Sequence, residues 1–132
     1  MSKNQKIIWG LAFLLGLTLA CLVQGCASFA TNAFRAEQLA ATTGRAAVTG
    51  YNRWWESRTN SATAEQLSSL ELQRAQVWDA SRKLGATLRV LEDTRLGYVN
   101  GTASKSDLAR LLESAQANQS NLVWLVTYLQ GP

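Results

Sequence analysis

The chain has 132 residues, with 13 Lys or Arg against 9 Asp or Glu and no histidine. That length allows one small domain, and the missing histidine removes the commonest general base and the commonest metal ligand. Lys3 and Lys6 belong to the opening segment, so residues 26–132 carry a net charge of +2 with no block of like sign, which leaves nothing to grip a nucleic-acid backbone.

Lys3 and Lys6 precede an uncharged apolar run from Ile7 to Val23, which closes on Val23-Gln24-Gly25-Cys26. Basic residues, an apolar core and a small-residue site make a secretory signal peptide. The arrangement resembles a bacterial lipoprotein signal. The lipobox of that class has an aliphatic residue, a tolerant position, Gly or Ala, and then Cys. The resemblance implies that residues 1–25 are removed and that the Cys26 thiol carries a diacylglycerol. Further acylation of the palmitate kind would complete the anchor, since two or more chains hold firmly where one is marginal. Ala27 in place of an Asp implies delivery to an outer membrane where the cell has one. The alternative is an uncleaved anchor helix. Ile7–Val23 is 17 residues, at the short edge of the roughly 17–25 that span a bilayer. Under both readings Lys3 and Lys6 keep the N-terminus in the cytoplasm and place residues 26–132 outside it, in the cell envelope or periplasm.

Beyond Cys26 the pattern is all-α. The only proline is Pro132, and no strand-like alternation occurs. A first helix is expected over about 32–58, with Asn32 as its N-cap. Phe34, Ala41, Val48 and Trp55 recur at seven, with Gly44 and Tyr51 between them, and Ala40, Ala47 and Trp54 widen the stripe. Thr42-Thr43-Gly44 marks either a kink or a close helix contact. Thr63-Ala64-Glu65-Gln66 reads as a capping box opening a second helix over about 64–99. Leu70, Val77, Leu84, Leu91 and Tyr98 repeat at seven. Leu67 and Leu88 hold companion positions, but Arg74, Ser81 and Arg95 hold the others, so the coiled-coil seam is imperfect. Asn100-Gly101 ends that helix. Ser104 to Asp107 opens a third, over about 104–129, with Leu108, Leu111, Ala115, Leu122, Leu125 and Leu129 as its stripe and Asn118 interrupting it. Short connections make neighbours antiparallel. The expected architecture is an anchor segment followed by an antiparallel three-helix bundle or a long helical hairpin. Its domains are residues 1–25 and 26–132.

No catalytic constellation stands out. Glu92 and Asp93 are adjacent, so on a helix they point about 100° apart; Arg89 and Arg95 beside them read as surface ion-pair partners. Lys83 and Lys105 have no serine three residues before them, and neither Walker nor dinucleotide-binding patterns occur. No metal and no cofactor is expected, and neither cysteine lies beyond Cys26, so the domain is stabilised by packing. The aromatics are the unusual feature. Trp55 and Trp78 are expected in the core, whereas Trp54, Trp55, Trp124 and Tyr128 are candidates for contact with a partner or a headgroup layer. The expected function is a non-catalytic interaction or structural module, lipid-anchored through Cys26, self-associating or meeting a helical partner. The alternative is a single-pass membrane protein with an extracytoplasmic coiled coil, such as a phage lysis or envelope-spanning accessory protein.

Overall fold

The first described helix starts earlier than its local cap signal. In the computed structural model, which describes residues 29–131, α1 runs Phe29–Thr59. Asn32, the expected N-cap, lies inside the helix with its Nδ2 buried and unpartnered. Packing extends the helix past that point. The Phe29 ring meets Tyr98 edge-on, with centroids 5.9 Å apart, and Lys105 Nζ sits 5.0 Å above the Phe29 ring. Tertiary contacts of this kind outweigh a local cap preference. The expected signal or anchor over residues 1–25 and the lipobox cysteine Cys26 lie outside the described residues.

Helix α2 spans Ala64–Val99 and α3 spans Lys105–Gln130. Both capping boxes form. The Gln66 amide donates to Thr63 Oγ1 while the Thr63 amide donates to Gln66 Oε1 at 2.9 Å. Ser104 and Asp107 make the same reciprocal pair. Helix α2 ends in a Schellman turn: the Thr102 amide reaches the Gly97 carbonyl at 2.7 Å and the Gly101 amide reaches Tyr98. Gly101 has φ +81°, a conformation that glycine adopts without a Cβ penalty.

All three helices pack on one another, and no strand occurs among the described residues. One core cluster holds Tyr51, Val77, Leu84, Leu122 and Val126; a second holds Ala33, Leu91, Leu108 and Ala115. Each large buried aliphatic side chain contributes roughly 1.5–3 kcal/mol. The seven-residue repeat of α2 is the buried line, since Val77, Leu84 and Leu91 are its buried residues. On α1 the buried line is Ala33, Glu37, Ala40, Gly44 and Tyr51, one position away from the expected Phe34–Ala41 line. Phe34 is exposed. Thr42-Thr43-Gly44 does not break α1 but marks a close helix contact: a Cβ on Gly44 would stand 2.7 Å from Leu84 Cδ2.

Lys105 at the start of α3 lies beside Phe29 at the start of α1, and α2 returns between them. Thus α1 and α3 run parallel and α2 runs antiparallel to both. One end of the bundle holds Phe29, Tyr98 and Lys105. The other holds the last turns of α1, the first turns of α2 and the last turns of α3. No described helix is long and apolar enough to cross a membrane.

Candidate functional site: the aromatic end of the bundle

Tyr51, Trp54, Trp55, Trp124 and Tyr128 lie toward the end opposite Phe29. Tyr51, Trp54 and Trp55 close α1, and i, i+3 and i, i+4 spacing brings their neighbours into line. The Tyr51 and Trp54 rings lie 5.5 Å apart at 34°, and the Arg58 guanidinium stands 5.5 Å over Trp54. Trp55 packs under the Arg74 guanidinium at 4.3 Å, and its Nε1–H donates to the Leu70 carbonyl at 3.3 Å. Both indoles pack against the Tyr51–Val77–Leu122 core. Of the candidate contact residues, Trp54 and Trp55 are therefore half-buried and held on both sides. Arg74, which interrupts the expected seam of α2, is accounted for by its position over Trp55.

Trp124 and Tyr128 differ. They lie one turn apart on the outward side of α3 and are 65% and 68% exposed. Their rings stack 5.2 Å apart at 9°, a rigid offset pair with an apolar face open to solvent. Trp78, expected in the core, is 43% exposed on α2. Its place there follows from the buried line: Val77 takes the inward position, and the next residue points about 100° away.

At the same end of the bundle a cleft of about 640 Å³ opens between Trp54, Arg58, Leu70, Gln73, Leu129 and Gln130, and neither Trp124 nor Tyr128 lines it. Gln73 Oε1, Arg74 Nε and the Tyr51 hydroxyl are buried there or nearby without hydrogen-bond partners. Burial pushes the Tyr51 phenol above its ordinary pKa, and the Arg74 charge opposes that rise in part. The end of the bundle therefore offers aromatic and amide surface. Among the described residues no group of three or more His, Cys, Asp or Glu could hold a metal ion.

The electrostatic feature missed in the sequence lies elsewhere. Glu37 is 7% exposed on the buried line of α1. It accepts from Arg95 Nε at 3.0 Å, and the Arg95 guanidinium also covers the Phe34 ring at 4.8 Å. Arg95 thus reaches across to α1 and does not pair with Glu92 or Asp93. The signal was present: Glu37 falls between Ala33, Ala40 and Gly44 at helical spacing, and Arg95 interrupts an otherwise apolar seam. Comparison with family models, curated proteins and solved structures finds no match to this chain.

Proposed function

We propose that this chain is a small lipid-anchored protein of the cell envelope, held through Cys26, whose helical domain is a non-catalytic contact module. The supporting observation is the polarity of the bundle. The anchor segment joins the domain at Phe29, and the exposed Trp124–Tyr128 pair lies toward the opposite end. Trp124 stands 19 positions beyond Lys105, the residue that packs on Phe29, so it is roughly 30 Å along the bundle axis at the α-helical rise. A domain standing on its anchor carries the pair beyond a headgroup layer, where Trp and Tyr serve as anchors for a protein partner. Trp54 and Trp55, already committed to the core, support the platform.

A photo-crosslinking aromatic amino acid placed at position 124 or 128 in intact cells tests this reading. A discrete protein adduct is expected from both positions, and none from position 113, where exposed Glu113 sits nearer the anchored end of the same helix. Lipid adducts alone, or equal adducts from all three positions, would contradict it.

A further inference from the structure

A second surface, apart from the aromatic end, has its own chemistry. Between α1 and α2 runs an open groove of about 570 Å³. Ala41, Val48, Leu84 and Leu88 give it an apolar floor, and Arg45 and Arg89 stand on its opposite walls. Both arginines are exposed, and neither makes an ion pair among the described residues. Of the two carboxylates lining the groove, Glu37 is already spent on Arg95 and only Glu92 is left to oppose two guanidinium groups. The rim is therefore net positive over an apolar floor.

Gly85 supplies a separate observation. It lines the groove in mid-α2, where glycine weakens a helix relative to alanine. A Cβ built there meets nothing within 4 Å, and its φ is not positive. Neither packing nor backbone geometry within the chain calls for a glycine at this place. Gly44 is the contrast, since its Cβ would strike Leu84. Gly85 therefore leaves the α2 backbone bare on the groove wall, open to close approach from outside, as Gly50 leaves α1 bare away from the groove.

We infer that the α1–α2 groove docks an amphipathic helix of a partner protein, apolar on the docked face and flanked by Asp or Glu. The groove follows α1 from Glu37 to Thr49, about 18 Å at the α-helical rise, which suits three turns of a docked helix. Apolar anchors in such a groove supply affinity. Carboxylates meeting Arg45 and Arg89 supply selection and register. This inference does not depend on Cys26 or on the Trp124–Tyr128 pair.

The test uses the full chain in detergent micelles and two synthetic amphipathic helices that share one Leu/Ala stripe. One is flanked by Glu and the other by Lys. The Glu-flanked helix is expected to bind at least ~10-fold more tightly, and Arg45→Glu with Arg89→Glu to reverse that order. Gly85→Ala is expected to raise the melting temperature while weakening the Glu-flanked helix several-fold. Gly50→Ala, a site on α1 outside the groove where a Cβ also meets nothing within 4 Å, is expected to raise the melting temperature and leave binding unchanged. Equal binding of the two helices, no reversal in the charge-swapped variant, or Gly85→Ala without effect on binding would overturn the proposal. So would displacement of the Glu-flanked helix by anionic lipid mixed into the micelles but not by zwitterionic lipid, which would identify the groove as a lipid site.

Discussion

Three buried residues of α1, namely Glu37, Gly44 and Tyr51, bear on its stability. Tyr51 is wholly buried with an unpartnered hydroxyl. A buried hydroxyl without a partner costs about 1–3 kcal/mol, so Tyr51→Phe is expected to raise stability by roughly 1 kcal/mol in urea unfolding. The raised phenol pKa has a matching sign. The folded state keeps the neutral form, so stability is whole below the ordinary phenol range and falls as pH climbs through it; that alkaline loss should shrink in Tyr51→Phe. A Cβ on Gly44 would stand 2.7 Å from Leu84 Cδ2 and force that buried side chain to shift, whereas Gly50 faces open space. Gly50→Ala should gain roughly 0.5–1 kcal/mol from helix propensity, and Gly44→Ala should be at least ~1 kcal/mol less stable than it through overpacking. Glu37 and Arg95 form a part-buried pair. Glu37→Ala should cost about 1.5–3 kcal/mol through loss of a hydrogen bond between charged groups, while Glu37→Leu with Arg95→Met should come within about 1 kcal/mol of the original. Additive losses in the double variant would contradict that reading.

At the scale of helices, both ends of α2 and its bulky stripe were legible in the sequence; on α1, Ala40, Gly44 and Tyr51 were placed in the stripe, but the start of the helix and the inward turn of Ala33 and Glu37 were not. The span of α2 agrees with its expected bounds, because Thr63–Gln66 and Asn100–Gly101 are local signals and its core-facing residues are large. On α1 the core face is made of Ala33, Ala40 and Gly44. There the inward position is set by how near the backbones come, and the largest side chain, Phe34, lies beside the buried line. On α3 the expected interruption at Asn118 is a hydrogen bond to Thr87 Oγ1 at 2.7 Å, and Gln119 is the buried polar residue; which amide turns inward depends on the neighbouring helix. The candidate aromatics divided for the same reason, with Trp54 and Trp55 packed on the core and Trp124 and Tyr128 stacked on each other and largely exposed. The start of α3 carries a pH prediction. Asp107 has its pKa lowered chiefly by the hydrogen bond from Ser104, with Arg110 adding to the effect. A carboxyl whose folded pKa is depressed stabilises above its unfolded pKa and loses that contribution as pH falls through the folded value. Acid unfolding of Ser104→Ala, followed by circular dichroism, should therefore show a weaker dependence on pH in that range than the unaltered chain.

For the molecule as a whole, the bundle presents two chemically distinct surfaces. Helix α1 has 31 residues, about 45 Å of rise, which separates Phe29 from the aromatic end. The α1–α2 groove lies along the side between these ends. Its basic rim and the Trp124–Tyr128 pair are therefore separate surfaces, so the two proposed contacts are tested independently. Packing without disulfides carries the domain, since both cysteines precede Phe29. The proposed envelope role turns on whether Cys26 carries the anchor. Intact-mass measurement of the protein purified from membranes, beside a Cys26→Ser variant, addresses that most directly. The expected result is a chain lacking residues 1–25 and carrying acyl chains, with both features lost in the variant. A full-length, unmodified mass from both proteins would contradict it and leave Ile7–Val23 as a membrane span.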